Sequence, residues 1–179
     1  PSGSAQAQDP DADEIMRNVY ERPEGDDRTS TLTMTLRNRF GDERVRTIEQ
    51  YAIERGEVEK SLMFFTAPAD VRDTAFMNWS YDEQGRDDDQ WIYLPALRKV
   101  KRISSESKGD YFMGSDFTYD DLGDRHPDED THTILRQEEL DGTMHWVIES
   151  SPKDPGSMYS RTVVWVRQDG SWVGTKKAF

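Results

Sequence analysis

The most ligand-like cluster in the sequence is Asp120, Asp121, Asp124, His126, Asp128, Glu129, Asp130 and His132. Its carboxylates could hold calcium. The Asp-x-Asp-x-Asp-Gly order of a calcium loop is missing, however, and histidines at i and i+6 lack the spacing of a zinc-binding helix, so a solvated acidic loop is the favoured reading and no metal is expected. Ser115, His126 and Asp121 supply the residue types of a nucleophile triad, yet no Gly-x-Ser-x-Gly elbow surrounds the serine. With 36 Asp and Glu, some pair of carboxylates will always resemble an acid and its base. No glycine-rich phosphate loop stands at a strand-to-helix junction, so no nucleotide or other cofactor is expected. The chemistry on offer points to a protein that binds and does not catalyse.

The elements that must carry such a function are bounded by composition. A chain of 179 residues with 34% hydrophobic content supports one core, and a single domain is expected over residues 10–179. The longest apolar runs, such as Leu62 to Phe65, are strand-sized, far short of a membrane-spanning helix. The net charge of -13 argues against nucleic acid, which needs clustered positive charge, and suits a soluble surface. The absence of cysteine excludes disulfides, thiol chemistry and a Cys-linked lipid anchor, so no stable membrane anchor is expected. Ala5-Gln6-Ala7 has the small-x-small form of a signal-peptidase site, which makes residues 1–9 a signal-peptide remnant or a disordered tail.

Asp11 or Asp13 can cap a helix running to about Arg22, with Ile15, Met16 and Val19 as its apolar stripe. From Arg28 the period changes to two: Leu32, Met34 and Leu36 alternate with threonines. Further strands are expected over residues 43–54, 57–66, 74–81, 90–94 and 99–103, where Ala75, Met77, Trp79 and Tyr81 share a face and the last strand is basic. Residues 105–130 read as a long structured loop with one helical turn near Tyr119 to Leu122. Two hairpins follow: Thr133–Glu139 with Met144–Glu149 across Asp141-Gly142, and Arg161–Arg167 with Ser171–Lys176 across Asp169-Gly170. One helix and about ten closely spaced strands predict a mainly β (α+β) fold, a meandering antiparallel sheet curled into a barrel or half-barrel. The last strand runs into the chain end without a polar tail, which predicts truncation at the C-terminus.

The strands hold a surplus of large apolar groups, with seven Met, five Trp, seven Phe and seven Tyr in the chain. Met34, Met63, Met77, Met113, Met144 and Met158 lie in or beside them, and methionine repacks readily around variable shapes. A closed core would use the same residues.

Trp91-Ile92-Tyr93-Leu94-Pro95-Ala96-Leu97-Arg98-Lys99-Val100-Lys101-Arg102-Ile103-Ser104, with Gly109-Asp110 and the run from Met113 through Gly114 and Asp116-Phe117-Thr118 to Leu122, closely resembles the bacterial outer-membrane lipoprotein-sorting protein family, akin to the LolA and LolB carriers. Phe65-Thr66-Ala67-Pro68-Ala69-Asp70-Val71-Arg72 and Thr74-Ala75-Phe76 resemble that family's strand corner, with Asp73 where the family pattern leads one to expect glycine.

The resemblance implies an unclosed antiparallel β-barrel, or half-barrel, whose concave apolar face is covered by the N-terminal helix and a short helical segment. It further implies a periplasmic carrier of lipoprotein acyl chains or lipid, working with an inner-membrane transporter and an outer-membrane acceptor. Strand alternation offers Leu32, Met34, Leu36, Met63, Phe65, Met77, Trp79, Ile92, Leu94, Trp146, Ile148, Val163 and Trp165 as the cleft lining. Arg98, Lys99, Lys101 and Arg102 are candidates for contact with lipid headgroups or an acidic partner. Other readings of the same fold are a partner of an inner-membrane transporter that carries another hydrophobic ligand, and a solidly packed scaffold or interaction module.

Overall fold

The computed structural model describes residues 10–83 and 85–179; the signal-peptidase-like Ala5-Gln6-Ala7 lies outside the described residues. The chain divides into two compact units, one running from Glu24 to Asp124 and the other joining the segment before Glu24 to Arg125–Phe179.

In the second of these, α1 (Ala12–Glu21) begins where Asp11 caps it, its side chain accepting from the Glu14 N–H at 2.8 Å. The helix buries Ala12 and Ile15 against Trp146, Ile148 and Val166, with Met16 and Val19 packed alongside. Those partners come from a four-stranded antiparallel sheet of β7 (Asp130–Leu140), β8 (Thr143–Pro152), β9 (Thr162–Arg167) and β10 (Gly174–Ala178), ordered β10-β9-β8-β7. Asp141 and Gly142 both take positive φ, the twist a two-residue hairpin needs. The second hairpin is looser than its Asp169-Gly170 signal suggests. Asp169 accepts from the Ser171 N–H and hydroxyl, Trp172 adopts φ 56°, and β10 starts only at Gly174. Trp172 turns back to stack on Trp146, with centroids 5.7 Å apart and planes 10° from parallel. That stacking, invisible to turn propensity, displaces the strand start from the expected Ser171.

The other unit is a six-stranded antiparallel meander of β1 (Asp27–Arg37), β2 (Glu43–Arg55), β3 (Val58–Ala67), β4 (Ala75–Tyr81), β5 (Asp89–Leu94) and β6 (Lys99–Ile103), each paired with its neighbour in sequence. Asp73 occupies the left-handed region at φ 67°, which aspartate tolerates better than most residues, so the corner expected to need glycine keeps its shape. Its N–H donates to the Phe65 carbonyl, and the Phe65 N–H to that of Thr74, at 2.9 Å each.

The expected fold class holds: the protein is mainly antiparallel β with one helix and short helical turns, and neither sheet closes on itself. Residues 105–130 hold four 3-10 turns where one was expected: Ser105–Ser107, Phe112–Gly114, Asp120–Leu122 and Pro127–Glu129. The covering role expected of helices is also divided, because α1 packs on the four-stranded sheet whereas the turns between 105 and 122 pack on the six-stranded one.

Ile15→Ala should lower stability by about 2–4 kcal/mol, read from urea unfolding, because it leaves a cavity beneath α1. On the six-stranded sheet, Asp89 accepts from the Tyr81 hydroxyl at 2.7 Å and pairs with Arg102, and these bonds hold its carboxyl below its ordinary value. A depressed carboxyl stabilises the fold at neutral pH and loses that contribution as pH falls through its folded value. Asp89→Asn should therefore flatten the acid limb of stability against pH, measured as the urea midpoint.

Candidate ligand-binding site

Strand register sorts the six-stranded sheet into two faces. One carries Leu32, Met34 and Leu36 of β1, Arg46 and Ile48 of β2, Ser61, Met63 and Phe65 of β3, Phe76, Asn78 and Ser80 of β4, and Gln90, Ile92 and Leu94 of β5. Ile103 of β6 joins them opposite Gln90. Burial alternates in step, with Ser61, Met63, Phe65, Phe76, Asn78, Ser80, Gln90 and Ile92 all buried. We call this the inner face. Toward the β3–β4 corner it is apolar, and Val71 completes that cluster. Its other end is polar: Asp88 accepts from Asn78 and Ser80 at 3.0 and 3.1 Å and from the Asp124 N–H at 3.0 Å.

A cover lies on the apolar end. Phe112 is fully buried, its ring 5.2 Å from Phe76 and 5.9 Å from Phe65, and Tyr119 packs edge-on to it at 5.6 Å. Met113 and Leu122 add to the same cluster. Two side chains of the sheet fix the cover's backbone: Arg46 donates to the Met113 carbonyl at 2.6 Å, and Gln90 donates to that of Tyr119 at 2.8 Å. Met113 is held at φ 51°, an uncommon conformation for a residue with a side chain, and Gly114 follows at φ 70°. At the far end of the cover a Cβ on Gly123 would stand 2.6 Å from an Asp88 carboxylate oxygen, so any side chain there requires that carboxylate to shift.

The thirteen residues expected to line a cleft do not share one surface. Leu32, Met34, Leu36, Met63, Phe65, Ile92 and Leu94 lie on the inner face. Within that set Met63, Phe65 and Ile92 are buried in the packed cluster and Met34 and Leu94 flank it, whereas Leu32 and Leu36 stand outside it. Met77 and Trp79 point to the opposite face, paired across strands with Leu62 and Lys60 and with Trp91 and Asp89. Trp79 meets Trp91 edge-on at 5.3 Å and receives the Lys60 ammonium over its ring at 3.9 Å.

In the other unit Trp146 and Ile148 face α1. Val163 and Trp165 pair with Glu149 and Val147 on the reverse side, where the Trp165 indole donates to Glu138 at 2.7 Å and Lys176 lies over its ring. Glu138 is held below its ordinary range chiefly by that indole hydrogen bond, with Arg136 adding to it.

Among the basic residues, Lys99 and Lys101 stand opposite Leu94 and Ile92 at the inner face's edge, and Arg98 sits in the turn at φ 49°. All three are exposed, as is Arg102, which faces outward and binds Asp89.

The residues that suggested metal or triad chemistry shape local turns. Ser115 donates to the Phe112 carbonyl at 2.7 Å, and Asp121 accepts from the Thr118 N–H and hydroxyl. His126 and Glu129 form a reciprocal cap, Asp130 binds Arg125 through two nitrogens, and His132 bonds the Ser150 hydroxyl and the Pro127 carbonyl. Phe112 and Arg46 were not singled out from sequence. The one available signal was Tyr111-Phe112-Met113, three large apolar residues inside a polar, glycine-containing loop.

Phe112→Ala should cost about 3 kcal/mol of stability and at the same time increase binding of the neutral dye N-phenyl-1-naphthylamine, because it uncovers Phe65 and Phe76. Urea unfolding and dye titration read the two effects separately.

A family model described as "-like: Uncharacterized protein" matches residues 57–178. No curated protein matches the chain. Three solved structures are similar to it. An outer membrane lipoprotein-sorting protein domain from Vibrio parahaemolyticus is 36% identical over 94% of this chain and 71% of that one, with a TM-score of 0.78. A DUF1329 family protein from Desulfovibrio piger is 34% identical over 88% and 67%, with a TM-score of 0.75. A LolA superfamily protein from Nitrosomonas europaea, 21% identical over 90% and 68% with a TM-score of 0.56, shares the fold. With these identities and coverage, the chain belongs to the family of outer membrane lipoprotein-sorting protein domains.

Proposed function

We propose that this protein is a non-catalytic periplasmic carrier that shelters acyl chains of lipoproteins or lipids on the inner face of its six-stranded sheet for transfer to the outer membrane. The observation that carries this reading is the cover: four apolar side chains, Phe112, Met113, Tyr119 and Leu122, occupy the apolar end of the face without forming part of the sheet. Phe112 is fully buried and the other three are half-buried, so at about 2 kcal/mol for a full burial and about 1 kcal/mol for a partial one the cover amounts to about 5 kcal/mol. A buried methylene contributes about 0.8 kcal/mol, so about six methylenes offset the displaced cover. One acyl chain supplies that many. Exchange of cover for cargo then lies near balance, which a carrier requires, since it must release what it takes up.

The similarity to a lipoprotein-sorting domain supports the same reading. An inner-membrane transporter and an outer-membrane acceptor would be the donor and recipient. Arg98, Lys99 and Lys101, exposed at the β5–β6 hairpin, would meet headgroups or an acidic partner. Of the residues expected to line the cleft, the proposal keeps Leu32, Met34, Leu36, Met63, Phe65, Ile92 and Leu94.

Native mass spectrometry of the protein isolated from the periplasm should find an apolar mass that organic extraction removes. Leu94→Glu, at the half-buried rim of the inner face, should weaken uptake of a lauroyl ligand at least about tenfold. Met77→Gln, on the opposite face, should leave uptake unchanged. A protein that emerges empty and rejects added lauroyl ligands would be a packed scaffold.

A further inference from the structure

The polar end of the inner face has unused hydrogen-bonding groups of one kind. Asn78 and Gln90, 4% and 1% exposed, stand directly opposite one another on β4 and β5. Their amide N–H groups are engaged: Asn78 donates to Ser80 at 2.8 Å and to Asp88 at 3.0 Å, and Gln90 donates to the Tyr119 carbonyl at 2.8 Å. Their amide oxygens are buried and have no hydrogen-bond partner among the described residues. Neither amide can turn over, because the oxygen of Asn78 would then face the Asp88 carboxylate and that of Gln90 the Tyr119 carbonyl. Ser80 and the Asp124 N–H also donate to Asp88, so the donors at this end serve acceptors already present. Two acceptors remain. A buried acceptor that meets no donor has given up its hydration for nothing.

We infer that these two oxygens receive the head of the acyl ligand, and that the head is a nitrogen group with at least two N–H donors, a primary amine or a primary amide. The inference rests on the carrier reading of the inner face and narrows the ligand class. Residues paired directly across antiparallel strands have Cβ atoms about 5 Å apart, so one small head spans both amides. A carboxylate head brings only acceptors and meets Asp88 as a like charge, and a hydroxyl brings one donor for two oxygens. A head docked here leaves its chain on the apolar end, since Phe76 precedes Asn78 by two residues and Ile92 follows Gln90 by two, all on the same face. It breaks no bond that the face already has, because Asn78 and Gln90 keep their N–H bonds to Asp88 and Tyr119. The polar end therefore selects and orients the ligand, and the chain alone displaces the cover.

The test uses the whole purified chain after organic extraction, with N-phenyl-1-naphthylamine as a neutral reporter and four dodecyl ligands as competitors, each below its micellar concentration. Dodecylamine and dodecyltrimethylammonium share a charge and differ in N–H donors; dodecanamide and N,N-dimethyldodecanamide are the matched neutral pair. Wild-type protein should bind the N–H member of each pair about tenfold more tightly than its methylated partner, the gain expected from hydrogen bonds to two buried acceptors. Gln90→Met, of similar length and without the amide, should cut both ratios at least about threefold. Combined with Asn78→Leu, it should bring them close to one.

Equal binding within each pair by the wild type would mean that water alone serves the two oxygens, and undiminished ratios in Gln90→Met would mean that bulk alone separates the ligands. Either result overturns the inference and leaves the carrier reading in place. Failure of the wild type to bind any of the four ligands would overturn both. Should the double variant be unfolded by circular dichroism, the wild-type ratios and whichever single variant folds decide the matter.

Discussion

The packing of Phe112 against Phe65 and Phe76 is the contact on which the six-stranded unit depends. An antiparallel sheet that does not close on itself has an apolar face to hide and no further strand to hide it with. Here the task falls to a chain segment with only short 3-10 turns, anchored by one ring that fills the space between two others. Arg46 and Gln90 then aim its carbonyls, and Asp88 secures its far end at Asp124. The apolar end of the inner face is therefore occupied by a group that a flexible ligand of similar volume could replace. Such a site need not appear as an open cavity.

The opposite face of the same sheet is built differently. Tyr51 meets Phe64 edge-on, Trp79 meets Trp91, and Arg86 lies over Tyr81. Tyr81, Asp89 and Arg102 link β4, β5 and β6 through hydrogen bonds and an ion pair. These contacts join residues of the sheet to one another or to its connecting loops. One side of the sheet is thus braced from within, and the other is finished by a segment that is not part of the sheet.

Much of this was legible in the sequence. Threonines alternating with Leu32, Met34 and Leu36 gave an unambiguous face for β1, and the Asp141-Gly142 turn fixed the register of its hairpin as far as Arg136, beyond which the pairing shifts by one residue. In β4 the alternation misled. Ala75, Met77, Trp79 and Tyr81 form the more apolar set, yet the structure buries Phe76, Asn78 and Ser80, because the inner face has a polar end where Asp88 receives their hydrogen bonds. Hydrophobicity alone assigns such a strand to the wrong side. In β9 the run Val163-Val164-Trp165-Val166 is apolar throughout, so periodicity cannot choose a face, and contact with α1 decides for Val164 and Val166. The cover escaped notice for another reason. Its apolar residues follow neither a strand nor a helix period, since their positions are set by the gap they fill.

The cover's backbone hydrogen bonds have a consequence for the protein's dynamics. Phe112 donates to the Phe117 carbonyl, Tyr119 to that of Asp110, and Asp120 to that of Lys108. Among the described residues, no backbone bond joins the segment 105–122 to a strand of the sheet. Lifting the cover would therefore break no rung of the β ladder. Amide protons of the cover should exchange through a local opening, and those of β3 and β4 through unfolding of the whole unit. Opening of the face would thus be resisted by side-chain packing and by the bonds from Arg46 and Gln90, and by no hydrogen bond between strands.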